Sequence, residues 1–193
     1  MSTDFVIYDF DPNNLPADYL AAIGLVIASA SQTDHVLRDF IGSYLGIDLA
    51  ETIALGAHMS TPMKDDIIRA LIELNAPHAS EVDELDDVLD RIKEATARRN
   101  AVAHNAFARH PETGQIFSMR ERARGSLQVD FTPIDAAELN EIANEVYAAG
   151  MALQEFMTVR GISPREREKP IHEALNRKNK AREERREKYG EKY

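Results

Sequence analysis

The stretch SEVDELDDVLDRIKEATARRNAVAH, residues 80–104, decides the fold. Its apolar residues recur every three to four positions, at Leu85, Val88, Leu89, Ile92, Ala95, Val102 and Ala103. This is the spacing of one buried face of an α-helix, so we predict a long helix that begins near Ser80. On a helical wheel Arg99 falls in the middle of the apolar face, whereas Asn100 and His104 share one flank. A charge on a buried face requires a partner or a wet cleft, so Arg99 needs an explanation.

Helical spacing continues on both sides of this stretch. A first long helix is predicted from Pro16 to Gly46, followed by two shorter helices over residues 49–57 and 62–74. A fourth long helix is predicted to begin at Asp135 and to end near Gly161. The first helix has one apolar stripe that we expect to be buried: Leu20, Ile23, Ile27, Ala30, Leu37, Ile41 and Leu45.

Between Pro111 and Thr132 the apolar period changes from helical to two. The alternating residues are Phe117 and Met119, and then Leu127, Val129 and Phe131. This pattern predicts a β-hairpin whose turn is residues 122–125, packed on the helices because two strands alone are barely stable. The predicted fold class is all-α, a helical bundle with a short β-hairpin inserted between the third and fourth long helices.

The 193 residues divide into three predicted parts. Residues 1–15 form an N-terminal extension, residues 16–162 the bundle, and residues 163–193 a charged C-terminal tail. The tail is rich in Arg, Lys and Glu, with almost no apolar face, which is typical of a solvated helix or a disordered arm.

Composition excludes several kinds of site. The chain has no cysteine, so it has no disulfide, thiolate zinc site, iron–sulfur cluster or cysteine nucleophile. No histidine pair has metal-ligand spacing, and we expect neither a metal nor a cofactor. The first 15 residues have no basic segment, and the apolar run Leu20–Ala30 is shorter than a membrane span. We therefore expect a soluble, cytoplasmic protein without a membrane partner.

The net charge of −10 hides a segregation of charge. Residues 91–124 carry 8 basic and 3 acidic side chains, and residues 163–193 carry 11 and 7. Positive charge gathered around one motif favours an anion-binding face on an acidic protein. The alternative is that these clusters are solvated surface.

Arg99 and Asn100, three residues, and then His104, late in a long helix of a helical bundle, resemble the Arg-polar-x-x-x-His motif of HEPN domains. The resemblance in layout covers about residues 16–160. It implies a metal-independent endoribonuclease that cleaves RNA, often at the interface of a homodimer, here formed through the third long helix. It also implies a role as a toxin or defence component, with an antitoxin or a nucleotidyltransferase as partner.

The chemistry of the three motif residues suits this activity. His104 can act as general base on a ribose 2′-hydroxyl or as general acid on the leaving oxygen, because imidazole titrates near neutral pH. Arg99 can hold the scissile phosphate, and Asn100 can orient the imidazole or the phosphate. The predicted catalytic residues are therefore Arg99, Asn100 and His104.

Six further basic residues are weaker candidates for RNA binding: Arg98, Arg109, His110, Arg120, Arg122 and Arg124. The last three recur at every second position, so their side chains are expected to point the same way in a strand. Arginines near a turn are also typical of plain surface.

Three alternatives remain open at this stage. Arg99 can form a buried ion pair with Asp34, Asp39 or Glu145. His104 can cap the end of its helix and complement the dipole there. The domain can also bind RNA or a protein without catalysis, or be a structural bundle with no site.

Overall fold

The structure is a computed structural model that describes residues 7–75, 78–123 and 127–163 and a few positions between 179 and 187. It is mostly helical, with a small antiparallel sheet. Its elements are a 3₁₀ turn (Pro12–Asn14), α1 (Ala17–Leu45), α2 (Leu49–Gly56), α3 (Thr61–Asn75), α4 (Ala79–His104), β1 (Ala106–Arg109), β2 (Ile116–Ala123), β3 (Leu127–Pro133) and α5 (Ala136–Val159). Most of the predicted C-terminal tail lies outside the described residues.

The helix bounds agree with the prediction to within one or two residues. Gly46 ends α1 in the left-handed region (φ 65°), where glycine has no Cβ penalty. The Asp135 side chain caps α5 by accepting a hydrogen bond from the Glu138 backbone N–H at 2.8 Å. α4 begins at Ala79, one residue before its predicted start at Ser80, and its N-cap residue, His78, makes no side-chain cap bond.

Three long helices form the centre of the bundle. α1 and α5 run in the same direction, since the Tyr19 hydroxyl donates to Ile134 O near their starts and the Thr33 hydroxyl to Val146 O further along. α4 runs in the opposite direction to α5, since Arg98 pairs with Glu145 and Arg160 with Glu84. The core lies between these helices, and the burial of Leu85, Val88, Leu89, Ile92, Ala95 and Val102 confirms most of the predicted face of α4. The prediction is wrong for Ala103, which is exposed in the last turn of the helix.

α2 and α3 pack on the C-terminal half of α1. Gly42 allows this approach, because a Cβ added there would overlap the Thr52 side chain. Further back on α1, Asp34 accepts hydrogen bonds from the buried Lys64 ammonium group at 2.6 and 2.7 Å. α3 begins at Thr61, so its coverage of α1 ends at about Asp34.

The predicted apolar stripe of α1 is therefore buried over only part of its length. Leu37 and Ile41, under α2 and α3, are buried as predicted. The prediction is wrong for Leu20, Ile27 and Leu45, which are 45%, 45% and 47% exposed. Leu20 and Ile27 are open because the N-terminal half of α1 extends past the start of α3. Leu45 is the last residue of α1 and is exposed at the opposite end of the helix.

α1 is long and apolar enough, by length and composition alone, to cross a membrane. One third of that apolar window is buried inside the bundle. This is weak evidence for a membrane span.

The sheet contains one more strand than predicted, in the order β1-β2-β3. β1 pairs with β2 in antiparallel register, with Phe107 opposite Ser118. Arg122 and Ala123 belong to β2 and not to the turn, and residues 124–126 lie outside the described residues. All of β3 is exposed, so the predicted packing of Leu127, Val129 and Phe131 on the helices is wrong.

The residues before α1 contact the sheet. Asp9 and Arg109 exchange two backbone hydrogen bonds of 3.0 and 2.8 Å, and the Tyr8 ring stacks on Phe131. The Asp11 backbone N–H and the Asn14 side chain donate to the Asp9 carboxylate and lower its pKa. This segment is thus attached to the edge of the sheet at β1.

Candidate functional site

The predicted motif lies in the last turns of α4, where the chain leaves the bundle and enters β1. Asn105 ends the helix, and its backbone N–H donates to Ala101 O. The Asn105 side-chain amide donates to the Ser118 hydroxyl at 2.9 Å, which fixes β2 relative to the end of α4. The sheet is therefore held beside the motif.

An open groove of about 690 Å³ lies between the end of α4 and β2. It is lined by Ala97, Asn100, Ala101, His104, Asn105, Ala106, Met119, Arg120 and Glu121. Asn100 and His104 thus share one groove, as expected from their i, i+4 spacing. The fold adds Arg120 from a strand 16 residues further along the chain, so an imidazole, an amide and a guanidinium border the same space.

Arg99 does not line this groove, and it lies on another side of α4, as the wheel predicts. Its side chain is only partly exposed, and its Nε atom is buried without a hydrogen-bond partner. A buried donor left unsatisfied costs about 1–3 kcal/mol. The buried Nε of Arg160 is in a different situation, because that guanidinium pairs with Glu84 and lies 3.7 Å from the centre of the Phe156 ring.

The ion-pair alternative for Arg99 is wrong for all three predicted partners. Asp34 binds Lys64, Asp39 binds Arg38, and Glu145 binds Arg98. Within the described residues Arg99 has no ion pair. Its guanidinium is therefore available to a phosphate or to a carboxylate of another molecule.

The capping alternative for His104 has no support in its contacts. Within the described part of the chain the imidazole makes no hydrogen bond, and it is exposed at the groove. Its position in the last turn places it at the C-terminal end of α4, beside β1.

The other predicted RNA-binding residues separate into groups. Arg98 borders a second depression of about 400 Å³ between α4 and α5 and pairs with Glu145, away from the motif groove. The His110 Nδ1 atom accepts backbone N–H groups of Glu112 and Thr113 at 3.2 and 3.3 Å, so its ring is held in a turn.

Arg109 is exposed at the end of β1, and Arg122 is exposed on β2, outside the groove lining. Arg124 lies outside the described residues. Of the five weaker candidates that the structure describes, only Arg120 lines the groove with Asn100 and His104.

Sequence reasoning missed Met119, Glu121 and Asn105 as groove residues. Met119 and Glu121 reach the groove because β2 folds back beside α4. This is a long-range contact that no local sequence pattern predicts. Asn105 directly follows the motif, and its place at the end of the predicted helix was the only available signal. Glu121 brings a negative charge that partly offsets Arg120.

Among the described residues, no group of three or more His, Asp or Glu side chains is placed to hold a metal ion. No protein-family model matches the chain, and no curated protein and no solved structure shows significant similarity to it. The resemblance to HEPN domains therefore stays a prediction that depends on the motif and its helical context.

Proposed function

We propose that this protein is a metal-independent endoribonuclease of the HEPN type, with Arg99, Asn100 and His104 as its catalytic residues and a toxin or defence role. The observation that carries the proposal is the shared groove of Asn100, His104 and Arg120. A second observation supports it: Arg99, on another side of the same helix, has a buried Nε without a partner among the described residues.

The proposed reaction is an in-line transfer at phosphorus. The ribose 2′-oxygen forms a bond to phosphorus while the bond to the 5′-oxygen breaks, which leaves a 2′,3′-cyclic phosphate and a free 5′-hydroxyl. Two protons move: one leaves the 2′-hydroxyl and one reaches the 5′-oxygen. His104 suits either transfer, and guanidinium groups stabilise the charge that builds up on the phosphate oxygens.

One chain supplies one imidazole to this reaction, and Arg99 points away from His104. A homodimer through α4, in which two copies of the motif meet, would supply the second imidazole and bring a guanidinium to each groove. The proposed partners are therefore RNA, a second copy of the chain, and an antitoxin or nucleotidyltransferase.

The test is an assay of labelled single-stranded RNA in EDTA. We expect the parent to cut the RNA and to leave cyclic phosphate ends, and an RNA with 2′-O-methyl groups to stay intact. His104→Ala should lose about 10²–10⁴-fold in rate, the usual contribution of a general acid or base. Arg99→Ala and Arg120→Ala should also lose activity.

Arg98→Ala is the matched control, because Arg98 precedes Arg99 but pairs with Glu145 outside the groove. It should cut RNA at the parental rate. If His104→Ala cuts as fast as the parent, or if the parent does not cut, the nuclease proposal fails.

A non-catalytic RNA-binding module is the second candidate. It is favoured by one observation: within the described residues no group orients the His104 imidazole by a hydrogen bond. The same assay separates the two functions, because a binding module retains RNA in a salt-sensitive way without cutting it. In that case Arg120→Ala lowers the affinity and His104→Ala has little effect.

A further inference from the structure

The N-terminal half of α1 presents an apolar face that no described element covers. Residues 19–33 contain no charged side chain, and Leu20 and Ile27 are each 45% exposed. Gly24 lies between them, and a Cβ added there would meet nothing within 4 Å. In the C-terminal half of α1, the same side of the helix is occupied by α2 and α3. The open face therefore continues a surface that is built for packing.

We propose that a second copy of this chain packs on this face, with the two α1 helices antiparallel about Gly24. The proposal is independent of the nuclease activity. It also concerns a different helix from the contact on α4 named above.

The order of residues on the face suits a two-fold contact with itself. Leu20 and Ile27 lie on one flank of Gly24, and Ala21 and Ala28 lie on the other at matching offsets. In an antiparallel pair, Leu20 of one copy lies beside Ile27 of the other, and Ala21 lies beside Ala28. The small residues allow the backbones to approach, and the branched residues close one side of the contact. A two-fold interface requires such a self-complementary patch.

Size and charge distinguish this partner from a lipid bilayer. The uncharged segment is about 22 Å long at 1.5 Å per residue, shorter than the ~30 Å hydrocarbon core of a membrane. Asp18 and Asp34 limit it at both ends. An antiparallel arrangement separates the two copies of Asp18 by about 18 Å, whereas a parallel pair would place them side by side.

The helix strip alone is small. A contact about 22 Å long and 10 Å wide buries about 200 Å² per copy, against the ~800 Å² of a standard interface. Met63 is 51% exposed where α3 begins, at the end of the open face, and adds apolar area there. We therefore expect a weak dimer that forms at high protein concentration and dissociates on dilution.

The test is sedimentation of the full chain over a range of concentrations. Ile27→Glu should shift the monomer–dimer midpoint at least tenfold toward monomer. Leu25→Glu is the matched control, since Leu25 is 46% exposed on the same helix but lies about 160° away from Ile27. It should leave the midpoint unchanged. Circular dichroism should show the parental helix content for both variants.

A single cysteine gives a second readout, because the chain has none of its own. Gly24→Cys should form a disulfide-linked dimer on mild oxidation, since the two-fold axis passes beside this residue, and Leu25→Cys should not. If Ala103→Glu on α4 abolishes the dimer while Ile27→Glu does not, the contact is on α4 and the proposal is overturned. A parent that stays monomeric at all concentrations, or that binds lipid vesicles through Ile27, also overturns it.

Discussion

The two halves of the bundle differ in how their charged side chains are paired. In the α3 half, defined as residues 34–45 of α1 with α2, α3 and the start of α4, Arg69 contacts Asp65, Asp86 and Asp90, and Lys64 is paired with Asp34. Burial by itself would lower the pKa of Arg69. The three carboxylates together have the opposite and larger effect, so the pKa is raised above its ordinary value.

The motif half, residues 17–31 of α1 with residues 93–104 of α4 and the sheet, differs. Arg99 has no partner among the described residues, and His104 is exposed at the groove. Polar groups in a protein interior are normally satisfied, so an unsatisfied one is informative. The comparison indicates that the α3 half pairs its cations for stability, whereas the motif half pairs Arg98 with Glu145 but keeps Arg99 and His104 free for a ligand.

The largest expected effect on the free energy of unfolding is in the α3 half. Asp34→Ala leaves the Lys64 ammonium, 2% exposed, without its partner, so we expect it to lower the free energy of unfolding by about 3 kcal/mol. Urea denaturation measures this value. Adding Lys64→Met to Asp34→Ala should recover most of the lost free energy of unfolding, because the double variant has no uncompensated buried charge. Asp66 is an exposed acid on α3, so Asp66→Ala should change the free energy of unfolding by less than about 0.5 kcal/mol. Equal effects of Asp34→Ala and Asp66→Ala would contradict the role of the pair.

Two glycines of α1 sharpen the comparison. Gly42→Ala should destabilise by about 1–3 kcal/mol, because the added methyl group overlaps Thr52 where α2 packs closely. Gly24→Ala has open space and should stabilise by about 0.5–1 kcal/mol, since alanine loses less backbone entropy in a helix. Both are measured by thermal unfolding of dilute protein, and a destabilising Gly24→Ala would show that this half is more closely packed than described.

The smallest effect concerns the segment before α1. The pKa of Asp9 is lowered from its ordinary value of 3.8, so its contribution is present above that value and is lost as the pH falls through the lowered one. We expect the exchange protection of the Arg109 amide, which donates to Asp9 O, to fall in that range. Asn14→Ala removes one hydrogen bond to the carboxylate, and NMR titration should show the Asp9 pKa closer to 3.8. An unchanged pKa would mean that Asn14 makes no contribution.

Helices and their bounds could be predicted because periodicity and caps such as Gly46 and Asp135 are local. The burial of the apolar stripe of α1 could not be predicted, because the stripe is continuous in sequence. The position at which α3 begins determines that the side of α1 before Asp34 stays uncovered. β1 was missed for a similar reason. Its four residues become a strand only by pairing with β2, which is a non-local contact.

At the candidate site, the i, i+4 relation of Asn100 and His104 and the odd position of Arg99 follow from helix geometry, and sequence reasoning predicts both. Arg120 was one of six weak candidates, and only the fold separates it from the rest. The engagement of Asp34 by Lys64 and of Glu145 by Arg98 is also a tertiary fact, whereas Asp39 pairs with its neighbour in sequence, Arg38. Because these acids bind other cations, Arg99 forms none of the three predicted ion pairs.

The most direct test of this account is to measure stability and RNA cleavage together for Arg99→Met. We predict a free energy of unfolding equal to the parent's or higher by up to about 3 kcal/mol, because no ion pair is lost and a buried unsatisfied donor is removed. We predict a rate of RNA cleavage in EDTA that falls at least 100-fold. Arg69→Met, which breaks three ion pairs in the α3 half, should show the reverse, with lower stability and parental activity at a temperature where it is folded. An Arg99→Met protein that is strongly destabilised but cuts RNA at the parental rate would contradict the account.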